Sequence, residues 1–389
     1  AVTMRCSVVL AASIGLLVVA CASPRVEAYD NGLGAFPPLG WSTWCTDDLC
    51  GLIDKCTQQE IQSIADAFVS TGMHDLGYEW LVLDDCWAAQ TRTASGQLQA
   101  NKEQFPDGMA ALVDYVHARG LKIGLYTCAG NYTCHDMRPG SLGHYSIDAQ
   151  TFAEWNIDYV KMDNCYHPHE SPEVYYTAMS KALNATGHPM WFNTCEWGED
   201  EVWLWGGKIA QSFRVGPDHL PFWKFDLGQG GQGVYDYIER MAILSNYSKP
   251  YGWGDADFLM TGMPSLTTTD SITEFCFWAF WNVPMLISTD VRNMTEWKSN
   301  LVLNKDIIAI NQDAARIPGF RVWNSSTAQV WKKPLAGGDI AILMLNAANS
   351  GSQTVEATWE QLYLDPTQTF DVYDVLEQKA MGTATGKIS

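Results

Sequence analysis

Eight short apolar runs that end in polar residues recur along this chain, separated by stretches of helical period. The runs cover 38–44, 79–87, 122–128, 157–165, 190–197, 211–216, 251–259 and 284–290. Helical patterns occupy 58–73, 108–119, 172–183, 234–245 and 267–280, with apolar side chains three and four residues apart, as at Ile61, Ile64, Ala65 and Phe68. Strands alternating with helices pair in parallel through right-handed crossovers. Eight such units fit a closed (β/α)8 barrel. An open doubly wound sheet is the competitor, but no glycine-rich phosphate loop follows the first strand. The expected fold is therefore α/β, with a (β/α)8 TIM barrel over residues 29–314. After Asn311-Gln312-Asp313 the pattern changes to β-type runs at 320–323, 329–332, 339–345, 354–357 and 370–375, broken by turn residues such as Gly337-Gly338. A C-terminal antiparallel β-sandwich over 315–389 is expected.

Residues 1–28 read as a separate object. Arg5 precedes an apolar run from Ser7 to Val19, and Val26-Glu27-Ala28 supplies a small-x-small cleavage site ahead of Tyr29. A cleaved signal peptide is expected, and with it a secreted protein or one of the lysosomal or vacuolar lumen. Val19-Ala20-Cys21 offers a lipoprotein-type alternative. Nine cysteines follow residue 28, and an odd number in an oxidising compartment leaves at least one thiol, for which Cys276 in its aromatic run is the choice. Five Asn-x-Ser/Thr sequons, at Asn131, Asn184, Asn246, Asn293 and Asn324, point to a glycoprotein. The net charge of −20, with no Lys/Arg cluster, excludes a surface that tracks phosphate backbones, so no nucleic-acid partner is expected, nor a membrane once the leader is gone.

In a parallel barrel every C-terminal strand end opens on one face, where the active site sits. Sorted by that rule, the polar residues converge. The second run ends in Asp84-Asp85, the fourth in Lys161-x-Asp163 and the fifth in Glu196. Arg214-x-x-x-Asp218 follows the sixth, Asp255 and Asp257 lie on the seventh, and Asp290 ends the eighth. Trp44, Trp87, Tyr126 and Trp197 are expected on the same rim. Acids flanked by aromatic faces suit glycoside hydrolysis, in which one carboxylate attacks or activates water and a second protonates the leaving oxygen. The bland reading of a single strand-end Asp is a helix cap or turn, and Asp255 and Asp257 are weak for that reason. Asp84-Asp85 is stronger, because adjacent acids repel and need a reason to coexist. A divalent metal is one such reason, but no metal or cofactor is expected. His167 and His169 lack a third ligand and read as a solvated loop. Trp203, Trp205, Trp278 and Trp281 read as core.

Leu39-Gly40-Trp41-Ser-Thr-Trp44, Leu83-Asp84-Asp85-Cys86-Trp87, Tyr159-Val-Lys161-Met-Asp163-Asn-Cys165 and Cys195-Glu196-Trp197 together resemble glycoside hydrolase family 27. This is the α-galactosidase and α-N-acetylgalactosaminidase group. Arg214-x-x-x-Asp218, Trp253-x-Asp255-x-Asp257 and Ala309-Ile-Asn311-Gln312-Asp313 extend the match in order. The resemblance implies a retaining two-step mechanism with Asp163 as nucleophile and Asp218 as acid/base, and a sugar subsite lined by Trp44, Asp84, Asp85, Tyr126, Lys161, Glu196 and Arg214. Asp163 is expected to stay ionised beside Lys161. Glu196 fills the space that enzymes for N-acetylgalactosamine leave open around the sugar's C2, so the substrate partner expected is an α-galactoside. An α-N-acetylgalactosaminidase, or a non-catalytic sugar-binding homologue, is the alternative. The resemblance also implies a Cys134–Cys165 disulfide and leaves pairing open among Cys45, Cys50, Cys56 and Cys86. Gly254 and Phe258 stand where the family usually has Asn and Met. The β domain stops at Ser389, ahead of the family's closing strands, so an incomplete domain is expected.

Overall fold

The computed structural model describes residues 29–45, 56–135, 137–348 and 350–389, together with the backbone of Arg5–Leu10. The expected leader over 1–28 otherwise lies outside the described residues, as does Cys50. Eight parallel strands form the barrel: β1 (Leu39–Ser42), β2 (Tyr78–Leu83), β3 (Lys122–Cys128), β4 (Tyr159–Asp163), β5 (Trp191–Cys195), β6 (Ser212–Arg214), β7 (Trp253–Asp255) and β8 (Met285–Ile287). Each of β1 to β6 pairs with the next, and β8 pairs with β1. The ring closes through Leu259 just after β7, whose N–H donates to the Leu286 carbonyl and whose carbonyl accepts from Ser288 N–H, both at 2.9 Å.

The helices are α1 (Gln58–Ser70), α2 (Met109–His117), α3 (Tyr145–Glu154), α4 (Pro172–Ala185), α5 (Val234–Leu244), α6 (Thr268–Phe280), α7 (Glu296–Val302) and α8 (Lys305–Asn311). Their starts follow local chemistry. Thr57 caps α1 by accepting from Glu60 N–H, Pro172 opens α4, and Thr267 with Asp270 forms a capping box on α6. Short 3-10 turns over Glu199–Leu204 and Gly206–Lys208 replace a helix between β5 and β6.

Strands β9 (Phe320–Asn324), β10 (Ala328–Pro334), β11 (Ile340–Asn346), β13 (Thr369–Asp374) and β14 (Lys379–Thr385) make one antiparallel sheet of the C-terminal β-sandwich. The other holds β12 (Ala357–Thr358) and β15 (Lys387–Ile388). The Arg5–Leu10 backbone pairs between β11 and β13. Val330, Ile342, Trp359 and Phe370 form the sandwich core. Buried Lys333 on β10 ties the domains together by donating to Asn282 Oδ1 and to the Ile317 carbonyl.

Register places the site. Tyr126, Lys161, Asn193, Ser212 and Trp253 lie in one row across β3 to β7. Two residues on, and so on the same face, come Cys128, Asp163 and Cys195, paired in register, and then Arg214 paired with Asp255. Beneath them Trp80, Val82, Tyr159, Trp191 and Leu286 pack with Trp253 to fill the interior as a plug. Gly124 on β3 faces Tyr159 in that plug, and a Cβ there would lie 2.7 Å from Tyr159 Cβ. Tyr159 is two residues before Lys161 on the same face, so its position fixes the floor of the charged layer. Gly124→Ala should therefore lower stability by about 2 kcal/mol through overpacking, read as a fall in the denaturation midpoint. An unchanged midpoint would show that the plug has slack.

Candidate active site

Two buried cations organise the barrel mouth. Lys161 Nζ donates to Asp84 Oδ2 at 2.7 Å and lies 3.9 Å from Asp163 Oδ2. It sits over three aromatic faces, at 4.8 Å from the Phe258 ring centre, 5.3 Å from Tyr126 and 5.6 Å from Trp44. Burial works against its ammonium, but Asp84 foremost among its acidic neighbours holds its pKa above the ordinary lysine value. Arg214, fully buried, donates to Asp218 Oδ1 at 3.1 Å and to the Pro217 carbonyl at 2.7 Å, and pairs with Asp257 Oδ2 at 3.0 Å.

Asp84 and Asp85 coexist because each has its own cation. While Asp84 meets Lys161, Asp85 Oδ2 accepts from His135 N–H at 2.6 Å, and Arg138 Nη1 lies 3.4 Å from its Oδ1. Arg138, absent from the sequence-based site, thus supplies the second charge from 53 residues away. Among the described residues no group of three His, Cys, Asp or Glu side chains could hold a metal ion. Burial still lifts the Asp85 pKa to about 7.

Asp163 ends β4 buried, with Oδ1 accepting from Asn164 N–H at 2.8 Å. Its pKa is raised, first by burial and then by the charge of Asp218, against the pull of Lys161. That qualifies the expectation that Lys161 holds Asp163 ionised, because Lys161 is nearer to Asp84 than to Asp163. Register puts both carboxyls at one mouth: Asp163 ends β4, and Asp218 is held at 3.1 Å by Arg214, which ends β6 on the same face of the barrel. Their settings differ: Asp163 lies in a strand, whereas the Asp218 side chain is 42% exposed on the loop after β6. That loop is pinned on either side of Asp218. Tyr237 hydroxyl donates to the Pro217 carbonyl, and His219 N–H donates to Asp257 Oδ2 at 2.7 Å. Asp257, raised to about 7 by burial against Arg214, braces the loop from β7, and Asp255 Oδ1 accepts from Asp257 N–H.

Glu196 is buried at the end of β5. Its Oε1 accepts from Gly198 N–H at 3.0 Å, while Oε2 has no partner among the described residues. Burial pushes its pKa to about 9. At neutral pH the side chain is therefore protonated and can donate as well as accept, which the sequence reading did not foresee.

Two expectations are corrected. Trp87 does not stand on the rim; it is buried against Phe152 and Trp155, with Nε1–H donating to the Tyr126 carbonyl. Asp290 does not join the acid bowl, because Arg292 claims it at 2.5 Å and bridges it to Glu60 on α1. Trp44 and Trp197 are half-buried at the mouth, and Trp205, Trp278 and Trp281 are core. The Cys134–Cys165 disulfide is present and joins the loops after β3 and β4. Cys56 pairs with Cys86, and Cys45 is disulfide-bonded to a partner outside the described residues. Buried thiols occur at Cys128 and Cys195 as well as at Cys276.

The chain matches the family model described as alpha galactosidase A over residues 36–313, and that of the alpha galactosidase C-terminal beta sandwich domain over 325–389. It is 37% identical to an α-galactosidase of Cyamopsis tetragonoloba over 360 residues, covering 92% of this chain and 84% of that protein. It is also 37% identical to an α-galactosidase of Coffea arabica, covering 94% and 95%. The crystal structure of α-galactosidase I from Mortierella vinacea superposes with a TM-score of 0.88 at 33% identity, over 92% of this chain and 95% of that one.

The raised Glu196 pKa has a stability consequence. A carboxyl with a folded value near 9 and an unfolded value near 4.5 gives stability that is full below about 4.5 and lost as pH rises through about 9. Glu196→Gln removes that loss. Thermal unfolding from pH 5 to 9 should show the variant gaining on the wild type as pH rises; a constant difference would show that Glu196 does not titrate in this window.

Proposed function

Because the chain belongs to glycoside hydrolase family 27, the α-galactosidase or melibiase family, we propose that it removes terminal non-reducing α-D-galactosyl residues with Asp163 as nucleophile and Asp218 as acid/base. The observation that carries this reading is the pairing of a strand-fixed, buried carboxyl at the end of β4 with a loop-borne, half-exposed one that Arg214 holds from the end of β6, both at the C-terminal ends of the barrel strands.

In the first step an Asp163 oxygen bonds to the anomeric carbon as the bond to the leaving oxygen breaks, and Asp218 gives that oxygen its proton. In the second, Asp218 takes a proton from water, whose oxygen displaces Asp163, giving net retention. Asp163 Oδ1 is occupied by the Asn164 amide, so Oδ2 is the oxygen available to attack. Asp84 and Asp85 accept from the 4- and 6-hydroxyls of galactose, and Lys161 fixes the orientation of Asp84. Trp44 and Tyr126 give the ring an apolar wall, and Arg214 aims Asp218. Glu196 meets the 2-hydroxyl through its unpartnered Oε2. An acetamide at C2 would have to enter the space that the Glu196 side chain fills, which opposes N-acetylgalactosamine.

The leader reading adds a secreted or lysosomal/vacuolar glycoprotein, since all five sequon asparagines are exposed. Cleavage after Ala28 would take the Arg5–Leu10 strand out of the β-sandwich, and a mature N-terminus at Tyr29 on sequencing checks this.

A 2-deoxy-2-fluoro galactosyl donor should trap a covalent sugar on the peptide containing Asp163, and Asp163→Asn should lower kcat by roughly 10^4-fold or more. Label on another peptide would remove Asp163 from the role. Nitrophenyl α-galactoside should be preferred over its N-acetyl counterpart, and Glu196→Ser should narrow that preference. A wild-type preference for the N-acetyl sugar would overturn the Glu196 argument.

A further inference from the structure

The loop that carries Asp218 continues into an exposed apolar ridge that the hydrolysis of the galactosyl bond does not itself require. Phe222 is 43% exposed, Phe225 42% and Leu227 58%. The rings of Phe222 and Phe225 meet at 5.1 Å between centres. Contiguous large apolar groups held in water mark binding surfaces more often than accidents of packing.

The loop's own backbone holds the ridge in place. Val234 N–H donates to the Phe222 carbonyl, Tyr235 N–H to the Trp223 carbonyl and Gly233 N–H to the Phe225 carbonyl, at 2.7 to 2.9 Å. Phe225 N–H donates to Asp236 Oδ2 at 2.9 Å, and Trp223 turns inward against Tyr235. The loop's base is tied to the acid/base itself, because Gln232 N–H donates to the Asp218 carbonyl at 2.8 Å. The ridge is thus anchored through its backbone, with the Phe222, Phe225 and Leu227 side chains exposed.

Where this ridge stands follows from the reaction. Asp218 delivers its proton to the oxygen that departs with the aglycone, so structure built outward from Asp218 borders the aglycone and not the galactose. The groups assigned to galactose lie on the barrel strands and just after β1, β2 and β5. We propose that Phe222, Phe225 and Leu227 form an aglycone platform that selects α-galactosides whose leaving group presents an apolar face, an alkyl chain or an aromatic ring. The proposal rests on the α-galactosidase reading given above and adds the class of leaving group.

The test compares Phe222→Ser/Phe225→Ser with the full-length wild type on four donors. α-Galactosyl fluoride has no aglycone carbon, so it reads the galactose site and the integrity of the fold; its kcat/KM should stay within twofold. For octyl α-galactoside and nitrophenyl α-galactoside kcat/KM should fall about tenfold, the scale expected for exposing a buried apolar face. Melibiose, whose leaving sugar is polar, should change less than either. A loss on the octyl donor alone assigns the platform to alkyl chains, and on the nitrophenyl donor alone to rings. Equal losses on all four donors, or none, overturn the proposal, as does a change in oligomeric state with unaltered donor preference. Failure of the wild type to cleave the fluoride would instead overturn the α-galactosidase reading itself.

Discussion

The ion pair between Lys161 and Asp84 is the contact on which the arrangement of the mouth depends. It is buried, so neither charge could stand there alone without a cost of several kcal/mol. Its presence lets β4 carry a cation into the centre of an acidic bowl, where the ammonium lies over the faces of Phe258, Tyr126 and Trp44. Lys161, Arg138 and Arg214 face Asp84, Asp85, Asp163, Asp218, Glu196 and Asp257 across the same region. Three positive charges cannot neutralise six carboxylates, and burial makes every uncompensated one costly. Burial, before any neighbouring charge, raises the pKa values of Asp85, Asp163, Glu196 and Asp257.

The two cations act differently. Lys161 is a strand residue whose register neighbours Tyr126 and Asn193 are fixed by the barrel ladder, so the groups it orients share the rigidity of the sheet. Arg214 ends β6 and reaches beyond the barrel, gripping Pro217 and Asp218 on one side and Asp257 on the other. A group that must be half-exposed to exchange protons with water, yet fixed to within a fraction of an ångström, cannot be placed by burial. It has to be tethered by charge and by its neighbours' backbone, and Arg214, Tyr237 and Asp257 do this.

The legible part of the sequence was the part set by periodicity. The β3 run at 122–128 coincides with the observed strand because Gly120, in a left-handed conformation, and the polar loop after Cys128 bound it sharply. β6 and β7 are three residues each, although Gln211 and Val215 on either side of β6 still exchange backbone hydrogen bonds with the neighbouring strands. β14 was not foreseen, since Lys379–Thr385 is almost wholly exposed and carries no apolar alternation. α3 was missed for a related reason: it buries Asp148 and Thr151 beside Ala149 and Phe152, and Asp148 is satisfied only by Arg92 from a distant loop. Site acids were found because strand ends share one face. Which of them stay in the bowl depended on partners that no local pattern reveals. Arg292 removes Asp290, Arg138 retains Asp85, and Trp87 turns from rim to core because Trp155 and Phe152 receive it.

The same distinction separates what the barrel can specify from what its loops can. The side chains proposed to meet galactose take their positions from strand register, and a one-residue slip in any strand would turn them to the other face. The departing half of the substrate is proposed to meet a loop that runs from Asp218 to the start of α5 and is pinned along the way through its backbone. Between those points, side chains can change without disturbing the ladder that holds Lys161 or the plug beneath it. The physical cost of an apolar ridge there is borne by solvent exposure alone, and a bound apolar group would relieve it. The separation lets one rigid sugar site serve leaving groups of different chemistry, provided that the tether on Asp218 is kept.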